Sequence, residues 1–325
     1  MKRMISIISI SLILISCGGG NENKSTNSQD QSVVAQHYVS EIIEIMRENV
    51  LTKHEVDWGA LESEVTSLAA NAANIKGTYT AIKHALKLLN TNHSGLMSAS
   101  GDILAYYSDF DCEQNFNMIK PTREDVGYIR IDGFSSYDVI KKKEYATNMQ
   151  EEIAQQDNGN LLGWIVDLRN NRGGAIWPAI AGIGSLLNNG VYGHFYDADE
   201  NIIPWGYRDG SSFQGDDVMV TVDSPYYLLN PSPKIAVLSS RRTTSAGEAA
   251  LIAFKKQDNV KIFGSDSCGL STGNRSFTLS DGSILFLSIV VMADKELQKY
   301  GSRVSVEQEV DQEKIIDTAI EWLQN

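Results

Sequence analysis

The six residues from Gly163 to Leu168 constrain the fold more than any other stretch. They read Gly-Trp-Ile-Val-Asp-Leu, an almost entirely apolar run of strand length. A strand that is apolar on both faces is typical of a sheet covered by helices on both sides. Strand-like alternation at 126–134 and helical sequence from about Ile140 to Gln155 come before it, and helical sequence resumes at about Ile176. This order of strand, helix, strand and helix predicts an α/β core.

Two adjacent glycines, Gly173 and Gly174, lie between this strand and the next helix. Glycines at such a junction permit positive φ and a close approach of the backbone to a ligand. Two interpretations stay open, namely a tight turn and a cradle of outward-pointing amides that stabilises a developing negative charge. The spacing and the lysine of a phosphate-binding loop are missing, so the pattern does not indicate a nucleotide site.

A second apolar run, Ile235 to Ser240, leads through four polar residues into Ser245 and then into alanine-rich helical sequence. The pattern predicts a strand, a sharp turn and a helix, with Ser245 at the start of the helix. A serine at that place can act as a nucleophile, because the first free amides of the helix stabilise an oxyanion. The spacing from Ser245 to Glu248 also fits a capping box, so this stretch alone leaves a structural role open.

The N-terminus predicts a secretory signal over residues 1–16, with Lys2 and Arg3 ahead of an apolar stretch too short to span a bilayer. Cys17 follows a small residue and resembles the cysteine of a bacterial lipobox, which becomes the lipidated first residue. An ordinary signal peptide with a chance cysteine is the alternative. A lipid on Cys17 predicts an anchored protein of the bacterial cell envelope, outside the cytoplasm. Residues 18–32 have no aliphatic or aromatic side chain, which predicts a flexible tether over 17–32.

The net charge excludes several classes of partner. The formal charge is −13, and it becomes −15 when the signal is removed with its two positive charges. So acidic a chain is not expected to bind nucleic acid or to adhere electrostatically to anionic lipid, which leaves the N-terminal lipid as the membrane contact. Besides Cys17 there are two cysteines, Cys112 and Cys268, whose spacing indicates neither a zinc site nor a disulfide scaffold. Whether they pair stays open, and we predict no metal or other cofactor.

Residues 33–115 predict a small N-terminal helical domain, and residues 116–325 predict the α/β core. His93 lies just past the third helical segment, in a run of short polar residues that favours a turn. Taken alone, a histidine in such a loop is usually an ordinary surface residue.

Several of these motifs together resemble the tail-specific, or C-terminal processing, serine peptidases, which include the tricorn core. The resemblance rests on Asp167 to Gly174 followed, about seventy residues later, by Thr244 to Glu248, and it covers roughly residues 126–311. It implies a crotonase-like α/β spiral with Ser245 as the nucleophile. It also implies an oxyanion hole made by an amide of Gly173 or Gly174 and by that of Ala246. The spacing leaves no room for the PDZ insert of many relatives.

The resemblance also indicates which residue is the base. Many members use a lysine in a loop after the nucleophile, but the matching position here is Leu270, which argues against a Ser-Lys pair. Tricorn-like members instead use a histidine in a short polar motif that ends His-Ser or His-Thr. The sequence Asn92-His93-Ser94 is similar to that motif, so His93 is the predicted general base. His194 is the rival, although its apolar strand-like surroundings suit a structural histidine better.

One position departs from the tricorn-like pattern. The glutamate that supports the catalytic pair in those members falls near Tyr300 here. Either Glu296 or Glu307 takes its place, or the supporting acid is absent.

The resemblance therefore implies a serine endopeptidase that cleaves extracytoplasmic polypeptides through an acyl-enzyme. Two alternatives remain. One is an inactive protein that binds peptides or lipophiles on the same fold, as is suggested by the retinoid-binding repeats of the photoreceptor matrix, which belong to the same group. The other is an esterase that uses the same residues. The sequence indicates no oligomeric state.

Overall fold

The computed structural model describes residues 23–325, so the predicted signal peptide and Cys17 lie outside the described residues. The helices are α1 (Asn23–Asn49), α2 (Trp58–Ala69), a 3-10 helix (Ile75–Thr78), α3 (Tyr79–Leu88), α4 (Val139–Gln156), α5 (Ile176–Gly182), α6 (Gly184–Leu187), α7 (Ala246–Ala253) and α8 (Ile315–Gln324). The strands are β1 (Gly95–Met97), β2 (Ile103–Tyr106), β3 (Gly127–Arg130), β4 (Trp164–Asp167), β5 (Gly190–Asp197), β6 (Ile202–Arg208), β7 (Ser211–Gln214), β8 (Asp217–Thr221), β9 (Ile235–Ser239), β10 (Val260–Gly264), β11 (Thr272–Thr278), β12 (Ile284–Asp294) and β13 (Gln308–Glu309).

Helix α1 differs from the sequence prediction at its beginning. It starts at Asn23, so residues 23–32 of the expected tether are helical. The buried face of this helix starts further along, at Ala35 and Tyr38. Once a helix is anchored by such a face, each added residue gains a backbone hydrogen bond, and polar turns can extend it without burying any surface. A composition argument about burial does not detect this extension.

The smaller sheet is parallel and has the strand order β13, β10, β9, β4, β3. Alternate residues of its central strands pack in opposite directions. Val166 and Val237 belong to a cluster with α5 and α7, whereas Ile165 and Ala236 pack with α8. Every residue of β4 and β9 is buried, as the unbroken apolar run at residues 163–168 predicts.

The larger sheet is antiparallel and has the order β2, β1, β12, β5, β6, β7, β8, with β11 also paired to β12. Strand β12 joins two hydrophobic clusters. Its residues Leu285 and Leu287 pack with helices α1 to α3, while Val290 and Met292 pack in the cluster that covers the parallel sheet. The prediction of an α/β core preceded by a helical N-terminal region is confirmed. None of the helices within residues 23–325 has the length and apolarity that a membrane span requires.

Candidate active site

Ser245 lies where β9 gives way to α7. Residues 240–244 form the turn, and Ser245 caps the N-terminus of α7 with φ 53° and ψ −111°. A positive φ is uncommon for a residue with a side chain and costs about 1–3 kcal/mol, so the surrounding contacts must hold it there. One such contact is the hydrogen bond from the Thr244 amide to the Asn171 carbonyl, at 2.9 Å, which fixes this turn to the loop that follows β4.

The glycine pair in that loop packs directly against the serine. A Cβ atom added to Gly173 would lie 3.0 Å from the Ser245 Cβ, and the backbone there has φ +92°. The Gly173 amide donates to the side-chain oxygen of Asn171 at 3.0 Å, so it is not free to bind a substrate. The amides of Gly174 and Ala246 have no acceptor among residues 23–325, and both residues line the cleft in front of Ser245. Of the two predicted glycine donors, the geometry therefore leaves Gly174, together with Ala246.

His93 lies partly buried in the loop between α3 and β1, and it faces the same cleft as Ser245. Its Nδ1 is 2.9 Å from the hydroxyl oxygen of Thr272, the first residue of β11. The side-chain amide of Asn274 donates to the His93 carbonyl at 2.8 Å. Burial lowers the pKa of His93 to about 4, so the imidazole is neutral at pH 7. No local sequence pattern points to Thr272, because it lies 179 residues from His93 along the chain.

The candidates for a supporting acid are engaged elsewhere. Glu307 binds the ammonium group of Lys255 at 2.7 Å and also accepts from the Ile262 amide. Glu296 lies 3.5 Å from the ammonium group of Lys256. The position that such an acid would occupy, next to Nδ1 of His93, is taken by the Thr272 hydroxyl.

Two further expectations concern the rival base and the lysine position. His194 lies in β5, with its Nδ1 3.1 Å from the carbonyl oxygen of Asp294. This contact is structural, as its strand-like surroundings suggest. Leu270 lines the cleft and is almost fully buried, so this position offers an apolar contact and no base.

The carboxylate of Glu248 fixes the backbone at Ser245 and links it to the loop after β10. This fully buried carboxylate accepts hydrogen bonds from the Ser245 amide at 2.7 Å, from the Ser267 hydroxyl at 2.6 Å and from the Gly269 amide at 2.8 Å. Burial raises the pKa of Glu248 to about 7, and these hydrogen bonds oppose the rise. The capping-box spacing indicates the bond to Ser245, but it gives no hint of the link to the loop after β10.

A disulfide lies next to this network. Cys112 and Cys268 are bonded, with their Cα atoms 4.8 Å apart, and Cys268 stands between two of the donors to Glu248. The bond holds the irregular segment after β2 against the loop after β10. The pairing that the sequence left open is therefore present.

The cleft has a volume of about 810 Å³. Besides Ser245 and His93, its walls are mainly apolar and aromatic side chains, which are Met97, Ile103, Tyr106, Tyr137, Ile176, Trp177, Phe195, Leu270, Phe286, Ile289, Val290 and Met292. A second groove, of about 710 Å³, runs along α4 and contains none of the predicted site residues. Within the described residues no group of three His, Cys, Asp or Glu side chains is placed to hold a metal ion.

Comparison with known proteins decides the family. The model of peptidase family S41 matches residues 125–310, which is more than half of the chain. The chain belongs to peptidase family S41. The match begins just before β3 and ends just after β13, so it includes both the glycine pair and Ser245 of this S41 chain and leaves His93 outside. Membership supports a serine peptidase of the C-terminal processing kind.

Individual relatives cover more of the chain than the family model does. The nisin-resistance protein of Lactococcus lactis subsp. lactis is 27% identical over 293 residues, which cover 89% of this chain and 87% of the relative. A lipoprotein structure from Streptococcus agalactiae shares the fold with a TM-score of 0.70 and 20% identity, over 89% of this chain and 96% of the other. The photosystem II D1 C-terminal processing protease gives a TM-score of 0.56 and 15% identity, over 90% and 97%. The shared fold thus extends into the N-terminal helical region that precedes His93.

Proposed function

We propose that this chain is a serine endopeptidase that cleaves polypeptides outside the cytoplasm through an acyl-enzyme on Ser245. The observation that carries the proposal is the composition of one cleft. Ser245, His93 and the acceptor-free amides of Gly174 and Ala246 all line it. A nucleophile, a base and two oxyanion donors are the parts that acyl transfer requires.

The base works through its second nitrogen. We assign the proton on Nδ1 of His93 as donated to the Thr272 hydroxyl, which leaves the lone pair of Nε2 for the Ser245 proton. Because burial lowers the pKa of His93 to about 4, the imidazole is uncharged throughout the neutral range and its Nε2 lone pair is free, but the same shift makes it a weaker base than an ordinary histidine. Thr272 orients the ring but carries no negative charge, so the imidazolium that forms is stabilised less than it is beside a carboxylate.

The reaction then proceeds in two halves. The Ser245 Oγ attacks the peptide carbonyl carbon as its proton passes to Nε2 of His93, and the oxyanion accepts from the amides of Gly174 and Ala246. Collapse of the intermediate breaks the C–N bond, and His93 returns the proton to the leaving amine. Water then repeats the attack on the acyl-enzyme, which releases the carboxylic acid and restores Ser245.

Two observations support the location. Disulfides persist mainly in oxidising compartments, and Cys112 is bonded to Cys268. The similar lipoprotein and the nisin-resistance relative suggest the cell envelope. We further propose that a lipid on Cys17 anchors the chain to the membrane.

The second candidate is a peptide-binding protein without catalysis, and the contact between His93 and the uncharged Thr272 favours it. The Lactococcus relative is named for resistance to nisin, so nisin belongs among the ligands tested. An esterase would use the same residues as a peptidase. Hydrolysis of an ester substrate without cleavage of any peptide would identify an esterase.

The test incubates the purified full chain in detergent with a diverse peptide pool that includes nisin, and mass spectrometry reads the products. Ser245→Ala and His93→Ala variants are run beside it, with the exposed His54→Ala as a matched control. We expect cleavage by the parent and the control and none by the two site variants. Cleavage that survives Ser245→Ala would refute the proposal. A folded parent that binds peptides without cutting them would establish the binding protein instead.

A further inference from the structure

The charged side chains that line the cleft are positive, whereas the net charge of the whole sequence is negative. Acidic residues outnumber basic ones by 41 to 28 over the whole sequence. Among the described residues that line the cleft there is no aspartate or glutamate, and the charged side chains are Arg172 and Arg275. A ligand entering this cleft therefore meets positive charge on walls that are mainly apolar.

The two arginines are not equivalent. Arg172 is bound by both carboxylate oxygens of Glu113, at 2.8 and 2.7 Å, so its charge is largely neutralised. Arg275 has no carboxylate within ion-pair distance and donates no hydrogen bond among residues 23–325. Its guanidinium lies over the ring of Phe277, 5.1 Å from the centroid. Stacking of this kind limits the motion of the side chain and leaves its N–H donors unused.

Arg275 is also well placed along the cleft. It lies on β11 three residues after Thr272, the residue that holds His93. Strand β11 pairs with β12, and its other edge faces no strand of the described chain. The residues on either side of Arg275, Asn274 and Ser276, also line the cleft. A polypeptide that reaches Ser245 through this cleft thus passes an unpaired guanidinium.

We propose that Arg275 is a specificity residue that binds a carboxylate of the polypeptide substrate, while the apolar walls take its neighbouring side chains. The proposal rests on the proposed peptidase function and names the substrate class of that same cleft. A planar guanidinium with free N–H groups binds a carboxylate in a bidentate manner, which a lysine does not reproduce. The carboxylate belongs either to an aspartate or glutamate side chain or to the C-terminus of the substrate.

The test uses a peptide identified by the pool assay, prepared in matched forms. One pair differs by glutamate and glutamine at single positions, and a second pair differs by a free and an amidated C-terminus. We expect kcat/KM of the parent to be roughly five- to twentyfold higher for one carboxylate form, mostly through KM, and the preference to weaken with salt. The pair that shows the preference identifies the source of the carboxylate.

Variants then assign the preference to the residue. Arg275→Gln should cleave both members of that pair equally, and Arg275→Glu should prefer the neutral one. Arg208→Gln is the matched control, because Arg208 also stacks on a phenylalanine but lies outside this cleft. A preference that persists in Arg275→Gln, or a parent that does not distinguish either pair, would overturn the proposal.

A binding measurement separates this proposal from the peptidase proposal. Fluorescence anisotropy of the same labelled peptides on the Ser245→Ala variant reads the preference without cleavage. If no peptide is cut, the same pairs, built on a peptide that binds in this assay, still test Arg275. Loss of the difference in affinity on adding Arg275→Gln would support it, and an unchanged difference would refute it.

Discussion

The amide of Ser245 donates a 2.7 Å hydrogen bond to the carboxylate of Glu248, which is three residues further along the chain. The other carboxylate oxygen accepts from the Ser267 hydroxyl and the Gly269 amide. All three partners donate to the carboxylate, and the Ser267 oxygen in turn accepts from the Val304 amide. The ionised carboxylate therefore satisfies the network, while burial favours the protonated form. This opposition makes Glu248 sensitive to pH near neutrality.

Glu248 should make stability fall as the pH rises. Its pKa is about 7 in the folded protein and near the ordinary 4.5 when unfolded, so the folded state holds the extra proton between these values. The stabilising contribution is complete below about pH 4.5 and is lost as the pH rises through about 7, and it amounts to on the order of 3 kcal/mol. Urea unfolding at pH 5, 6, 7 and 8 measures it.

The matched variant is Glu248→Gln, which removes the titration and keeps one acceptor. We expect the parent to lose more stability than this variant between pH 5 and 8. Identical pH dependence in the two proteins would contradict the assignment. Glu248→Ala leaves the Ser245 amide unpaired and should reduce both stability and kcat.

His93 should titrate well below the usual range for histidine. Since burial lowers its pKa to about 4, the unfolded chain takes up a proton at about 6.5 that the folded protein does not. Its contribution to stability is present above pH 6.5 and is lost as the pH falls toward 4. NMR titration of the His93 ring protons in the Ser245→Ala variant measures the midpoint directly. A midpoint for His93 near 6.5 would show that the ring is hydrated.

Gly173→Ala should reduce activity by tenfold or more. The added Cβ would lie 3.0 Å from the Ser245 Cβ and 3.1 Å from the Thr244 carbonyl oxygen, at a φ of +92°. The matched control is Gly282→Ala, where φ is +81° and, apart from the chain neighbours of Gly282, no atom of the described residues lies within 4 Å of the added Cβ. Both variants carry a backbone strain of roughly 1–2 kcal/mol, but Gly173→Ala is also expected to displace Ser245. Equal activity losses, measured as kcat/KM beside thermal unfolding, would mean that strain alone is responsible.

Removal of the disulfide should destabilise the protein by about 2–5 kcal/mol, because the bond closes a long loop. It joins residues 156 positions apart. The measurement is denaturant unfolding of the parent and of the Cys112→Ser, Cys268→Ser double variant, each with and without reductant. Reductant should lower the stability of the parent to that of the variant and should leave the variant unchanged. A parent that is insensitive to complete reduction would rule out a stabilising role.

The sequence predicts the parts of this protein that depend on neighbouring residues. The apolar run at 163–168 leads to a covered parallel sheet, and Ser245 at a strand-to-helix junction is found where the pattern indicates. These features follow from side-chain periodicity and backbone preferences within about ten residues. The presence of Ser245 and His93 in one cleft required the family resemblance, since no local pattern relates them.

The remaining features depend on contacts between distant segments. Three contacts are of this kind, because each joins residues that lie far apart along the chain. They are the Thr272 hydroxyl beside His93, the bond from the Ser267 hydroxyl to Glu248, and the disulfide between Cys112 and Cys268. The helical start of α1 was not predicted for a different reason. A composition argument considers only how much surface a segment can bury, and it neglects the cooperativity by which a helix that is already formed extends.

Strand β12 joins the two hydrophobic clusters that lie next to His93 and to Ser245. His93 follows α3, which packs in the cluster around α1 to α3, and Ser245 precedes α7, which packs in the cluster that covers the parallel sheet, while β12 contributes to both clusters. We expect substitutions near the junction of these clusters to shift His93 relative to Ser245 while each cluster keeps its own packing. For the proposed peptidase this predicts variants of β12 that lose activity and keep most of their stability, so cutting a peptide and merely holding it are separable properties of this scaffold.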